Sequence, residues 1–121
     1  MGDSLIIYSY SKCSTCKKAL RWLKENNLKY ELIDIIESPP SKKLISQAIL
    51  RQERIKSLFN TSGKSYRELG ADKVSSMNQK EAILALTNDS KLIKRPFIIT
   101  SKGDFIIGFN EEKWSDLLLI N

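Results

Sequence analysis

The sequence has no histidine among its 121 residues, and that absence removes several kinds of chemistry. Ser-His-Asp and Cys-His catalysis cannot be assembled within this chain. Zinc sites that depend on imidazole go with them. Any nucleophile must be activated by backbone dipoles, lysine, arginine or a carboxylate. Cysteine is scarce as well, with only Cys13 and Cys16 present. A loop that short would restrain little of the unfolded chain, so a disulfide scaffold is not indicated. Two thiols also fall short of the four ligands of a structural zinc site, and no metal centre is expected. No apolar run approaches the ~18–20 residues of a transmembrane helix. The start, Met1-Gly2-Asp3-Ser4, lacks a basic leader region, and Ile6 breaks the N-myristoylation pattern. These absences lead to the expectation of a cytoplasmic protein. With no repeat, low-complexity stretch or linker, residues 1–121 read as a single domain.

What is present is a globular composition with a basic balance. Hydrophobic residues make up 41%, and 20 Lys+Arg against 14 Asp+Glu give a formal charge of +6. The basic residues are dispersed, and no helix-turn-helix or aromatic-interleaved basic patch is evident. Direct DNA binding is therefore not expected.

The two cysteines stand in Ser11-Lys12-Cys13-Ser14-Thr15-Cys16-Lys17-Lys18, and the flanks give them meaning. Before them, Leu5-Ile6-Ile7-Tyr8 is a strand-forming run. After them, Cys16, Ala19, Leu20 and Leu23 keep the i, i+3, i+4, i+7 spacing of an amphipathic helix. The motif thus falls on a strand-to-helix turn, with Cys13 at or just before the helix start. Unpaired N–H groups and the positive end of the helix dipole point there and stabilise a thiolate. Cys16, one turn further in, is placed to attack a mixed disulfide on Cys13. Two inert buried cysteines are the alternative. Against it stands the local charge: up to Lys24, five cations face Asp3 alone.

Beyond the motif, Tyr30–Ile35 reads as a second strand, with Tyr30, Leu32 and Ile35, or Ile33 and Ile35, as its apolar face. Ser38-Pro39-Pro40-Ser41 starts a helix, and residues 41–90 read as helical throughout, with Leu58-Phe59-Asn60 ending one short segment. Within them Gly63 and Gly70 are expected as left-handed caps, and Asn78-Gln79-Lys80-Glu81 as a capping box. Strands resume at Phe97–Thr100 and Phe105–Ile107 around a Gly103 turn. Asn110 then caps a last helix with a Trp114, Leu117, Leu118 stripe. The order is β-α-β, a helical block, then β-β-α. The predicted fold class is α/β: a thioredoxin-like fold with a mixed sheet and an all-helical insertion at about 41–90.

At this point the chain resembles the arsenate reductase (ArsC)/Spx family. The resemblance rests on an ordered set of motifs: Tyr10 to Ala19 around the cysteines, Ser38-Pro39-Pro40-Ser41, Leu58 to Gly63 with Tyr66 to Gly70, Leu92 to Ile98, and Gly108-Phe109-Asn110-Glu111-Glu112. It covers nearly the whole chain and is similar above all to a reductase-like branch with a Cys-x-x-Cys motif. It implies that Cys13 is the nucleophile and Cys16 the resolving thiol. Lys12, Ser14, Thr15, Arg95 and Pro96 are the implied substrate- or anion-binding residues. The Arg95–Pro96 peptide is expected to be cis, facing the cysteines. Arsenate reductases of the family surround the nucleophile with three arginines. Here only Arg95 carries over, and Asn60 and Gly108 stand at the other two positions. A salt bridge from Arg95 to a group such as Glu111 is the plain structural alternative.

The activity this implies is thiol–disulfide oxidoreduction, with no bound cofactor. Thioredoxin, or glutathione with glutaredoxin, is the implied electron donor. One alternative is an Spx-like redox-sensing regulator that binds RNA polymerase, although those regulators continue beyond the equivalent of Asn121. The other is true arsenate reduction coupled to glutathione and glutaredoxin.

Overall fold

The computed structural model describes residues 4–119. The amino-terminal Met1-Gly2-Asp3 lies outside the described residues. The chain opens with strand β1 (Leu5–Ser9), helix α1 (Ser14–Glu25) and strand β2 (Tyr30–Asp34). Helices α2 (Lys42–Leu50), α3 (Lys64–Leu69), α4 (Ala71–Ser75) and α5 (Gln79–Asn88) follow, with short 3₁₀ turns at Ile55–Leu58 and Ser90–Leu92. Strands β3 (Phe97–Ile99) and β4 (Phe105–Ile107) and helix α6 (Glu111–Leu118) complete the order.

The four strands form one mixed sheet in the order β2-β1-β3-β4. The β1–β2 pair is parallel, with Ile7 opposite Leu32, and the β1–β3 and β3–β4 pairs are antiparallel. The central strand β1 is buried on both sides, which accounts for its unbroken apolar reading. Alternation of side chains divides the core in two. Leu5, Ile7, Ile98 and Ile106 face α1 and α6, where Ala19, Trp22, Leu23 and Trp114 cover them. Tyr8 and Phe97 face the opposite way, onto Ile45, Ile49, Phe59, Leu86 and Ile93 of the helical block. The result is three layers, the α/β class and mixed thioredoxin-like sheet expected from the pattern.

Several local expectations hold with their chemistry visible. The Ser41 hydroxyl accepts from Leu44 N at 3.1 Å. Asn78 and Glu81 form a reciprocal capping box. Asn110 Oδ1 accepts from Lys113 N at 2.8 Å, with Glu111 and Glu112 in the first turn of α6. Gly103 turns the β3–β4 hairpin at φ 85°.

Others are corrected. The second strand stops at Asp34, because the Asp34 carboxylate turns back to accept from Ile36 N and Glu37 N. Leu32 is 54% exposed on this edge strand, so the apolar face is carried by Ile33 and the following Ile35. On α1, Trp22 is fully committed to the core and Leu20 only partly. On α6, Leu117 is exposed and Trp114 carries the packing. Residues 41–90 break at Leu58-Phe59-Asn60 as expected, but the break is not a plain helix end: Phe59 leaves the first 3₁₀ turn to form an antiparallel bridge with Ile93. Gly63 is not a left-handed cap. It sits at φ −87° ahead of α3, and a Cβ there would stand 2.7 Å from Asn60 Nδ2. Its small size serves a close approach, whereas Gly70, at φ +100°, supplies the positive-φ link between α3 and α4.

Candidate active site

The carboxyl end of β1 runs straight into the cysteine turn. Cys13 N donates to Tyr10 O at 3.1 Å, which closes the turn, and Cys13 becomes the N-cap of α1 with extended backbone. Its Sγ accepts from Cys16 N at 3.2 Å. A thiol is an unusual cap, since Ser, Thr, Asp and Asn are the common ones. Here it brings the sulfur onto the amide end of a helix, where the dipole favours negative charge. Both cysteines are free thiols; Cys13 is half-buried and Cys16 fully buried.

The two thiols differ in environment as well as exposure. Burial pushes the Cys16 thiol up from 9.0 to about 11, helped by its contact with Cys13. The Tyr10 backbone N–H and the Ser9 hydroxyl pull the other way by bonding to the sulfur. Ser9 is the one buried polar residue of the described core, at the position of β1 that faces α1. It continues the Leu5, Ile7 face, and only its hydroxyl marks it out in the sequence.

Cys13 lies on the wall of an open cleft of about 1060 Å³. Lys12, Ser14 and Thr15 line the cleft on the same side, and Arg95 lines it from the chain entering β3. The cleft therefore gathers five of the residues that the sequence singled out. Pro96 is not on its wall. It is buried behind, joined to Arg95 by a cis peptide, and its carbonyl accepts from Gly108 N at 2.8 Å. Cys16 stands behind Cys13 and does not line the cleft.

Asn60 and Gly108, which the resemblance sets where arsenate reductases carry arginine, also border the cleft. The Asn60 loop is held against the Arg95 segment by Asn60 N to Leu92 O at 2.7 Å and Lys94 N to Leu58 O at 2.9 Å. Gly108 has φ +77°, and a Cβ there would meet Lys94 Cε at 2.9 Å. The Lys94 chain thus passes over a bare glycine. Lys94 and Lys113 bring further positive charge, against the carboxylates of Glu112 and Asp116. Sequence reading missed Lys94; its signal is its place beside Arg95 in an exposed loop ahead of a strand.

Arg95 makes no ion pair among the described residues, where the Arg51–Asp104 contact at 3.3 Å is the one salt bridge. A Glu111 partner is therefore set aside. The Arg95 Nε and Nη1 atoms are buried without an acceptor, and the guanidinium carbon lies 5.0 Å from the centroid of the Tyr10 ring.

The family model of the ArsC family matches residues 8–117. The chain belongs to the ArsC family. It is 39% identical over 117 residues to the uncharacterized protein YusI of Bacillus subtilis (strain 168), covering 93% of this chain and 97% of that one. A crystal structure described as a possible arsenate reductase from Streptococcus mutans UA159 superposes with a TM-score of 0.83 at 38% identity, over 92% of this chain and 97% of the other. The global transcriptional regulator Spx of Lactiplantibacillus plantarum is 24% identical over 110 residues, covering 90% of this chain and 82% of the regulator. This ArsC-family chain therefore has relatives named for a reductase and relatives named for transcriptional regulation. Among the described residues, no helix is long and apolar enough to cross a membrane.

Proposed function

We propose that this ArsC-family protein is a thiol–disulfide oxidoreductase that uses Cys13 and Cys16. The observation that carries the reading is the asymmetry of the pair: Cys13 half-exposed on the cleft wall as a helix cap, Cys16 buried behind it with a raised pKa. The Cys13 thiolate attacks one sulfur of a substrate disulfide. A new S–S bond forms to Cys13, the old one breaks, and the second substrate sulfur leaves as a thiolate. Cys16 then loses its proton, attacks Cys13 Sγ and expels the first sulfur. The substrate gains two electrons and the protein is left as a Cys13–Cys16 disulfide. Thioredoxin, or glutathione with glutaredoxin, returns the dithiol, and no bound cofactor is required. Lys12, Ser14, Thr15 and Arg95 bind the substrate around Cys13.

The test is exchange with a chromogenic disulfide and with thioredoxin. Cys13→Ser is expected to abolish exchange, and Cys16→Ser to accumulate mixed disulfides on Cys13. Equal activity in the two variants would overturn the reading. Arsenate belongs in the same assay, with glutathione and glutaredoxin supplied. Arg95 stands alone where two further guanidinium groups would suit a tetrahedral anion, so little or no arsenate turnover is expected. Recovery of RNA polymerase on the immobilised chain, without turnover of any disulfide, would favour an Spx-like redox sensor instead.

A further inference from the structure

Arg95 presents a problem of positioning. A guanidinium on a flexible stem, with no carboxylate holding it, samples many orientations. Its Nε and Nη1 are nevertheless buried without an acceptor. What lies against it is the Tyr10 ring, 5.0 Å from the guanidinium carbon to the centroid. An arginine over an aromatic face is attracted by the ring quadrupole, which fixes the plane of the guanidinium without occupying its N–H donors.

Tyr10 is itself fixed by the cysteine turn. Its carbonyl accepts from Cys13 N at 3.1 Å, and the residue packs partly into the core beneath the helical block. One residue thus holds the Cys13 turn through its backbone and Arg95 through its ring. We propose that Tyr10 is the positioning residue that aims Arg95 at the cleft, and that the stacked guanidinium makes the Cys13 site prefer disulfides carrying a carboxylate. The proposal rests on the thiol–disulfide reading above. It assigns the substrate class by charge: Arg95 lines the same cleft as Cys13 with no carboxylate paired to it among the described residues, and a carboxylate on the disulfide would supply the missing counter-charge.

The test compares two chromogenic disulfides on the full reduced chain, the dianionic 5,5′-dithiobis(2-nitrobenzoate) and the neutral 2,2′-dithiodipyridine. The quantity read is the ratio of their second-order rates at Cys13. Arg95→Ala is expected to lower the anionic-to-neutral ratio about tenfold, the scale of a charge-assisted hydrogen bond. Tyr10→Leu is expected to lower it about threefold, as loss of an aromatic–cation contact does. Tyr10→Phe keeps the ring and restores the wild-type ratio. In the Arg95→Ala background, Tyr10→Leu changes the ratio no further. A wild-type ratio in Tyr10→Leu, or a further fall in the double variant, overturns the proposal. Failure of the thiol–disulfide reading looks different: Cys13 is then labelled, but Cys16 does not displace the label, and the second thiol is released no faster from the wild type than from Cys16→Ser. The stack has its own readout in the ring-current shift of the Arg95 Hδ protons by NMR. That shift is expected in the wild type and Tyr10→Phe and lost in Tyr10→Leu; its absence from the wild type overturns the proposal whatever the exchange rates.

Discussion

Cys16 shows how one residue acquires a task from its surroundings. A thiol held at about 11 is protonated at neutral pH, so the dithiol form does not waste the buried sulfur on solvent oxidants. Two of the causes that raise it, the hydrogen bond and the charge of Cys13, vanish once Cys13 carries a mixed disulfide. Cys16 is therefore expected to be more acidic at the moment the proposed exchange requires it to attack. The sign of the pH dependence follows. Because its pKa lies above neutral, its thiolate fraction rises about tenfold per pH unit on the acid side, and release of the second product accelerates with pH. Stopped-flow release of product from a preformed Cys13 mixed disulfide measures it. Ser9→Ala removes a hydroxyl that favours the Cys16 thiolate, so the same step is expected to slow and its pH profile to move to higher pH.

Helix termini carry much of the local specification. The last helix starts where Asn110 Oδ1 accepts from Lys113 N, immediately after the Gly108 bend that passes under Lys94. Asn110→Ala leaves that N–H without its partner and is expected to cost ~1 kcal/mol in chemical denaturation. Gly108→Ala acts differently. A methyl group at φ +77° is strained by ~1–2 kcal/mol, and it would stand 2.9 Å from Lys94 Cε. That flexible chain must move, so this variant is expected to shift the Lys94 resonances at the cleft, and Asn110→Ala is not. Beneath the same segment, Trp114 meets Phe109 edge-on at 4.7 Å and Trp22 at 5.6 Å, which ties α6 to α1 and so supports the far wall of the cleft.

At the scale of the whole molecule, one sheet separates two cores and the cleft opens at its edge. Phe97 is fully buried, stacks edge-on with Tyr8 at 5.6 Å and Phe105 at 5.7 Å, and sits directly after Arg95–Pro96. Phe97→Ala opens a cavity beneath the helical block and is expected to cost ~3–5 kcal/mol. Against a total stability of order ~5–15 kcal/mol, that is enough to lower the thermal midpoint sharply. Leu32→Ala, on the exposed face of edge strand β2, is expected to change stability by no more than ~0.5 kcal/mol. Denaturant midpoints of the two variants, compared with the wild type, test this division between core and edge.

The sequence by itself determined the order of elements, the strand-to-helix turn that carries Cys13, and the caps at Ser41, Asn78 and Asn110. All of these depend on residues close along the chain, where period, cap chemistry and turn residues act locally. It also placed the cysteines, Lys12, Ser14, Thr15 and Arg95 in one candidate site through an ordered set of motifs. Its errors lie where distant segments compete. Leu117 looks like core and is exposed, because among the described residues nothing covers the outer face of α6, and of the two faces open to β2 the fold takes Ile33 and Ile35 and leaves Leu32 out. Phe59 ends its helical segment where expected, but its bridge to Ile93 is visible only in the fold. Gly63 reads as a left-handed cap and instead clears space for Asn60. Only the tertiary structure decided that Lys94 crosses Gly108, that Ser9 reaches Cys16, and that the Tyr10 ring meets Arg95. The Arg95 and Lys94 contacts join residues far apart in sequence, and Ser9 meets Cys16 through a strand packed on a helix. Their geometry is set by how the layers pack, which no local pattern encodes.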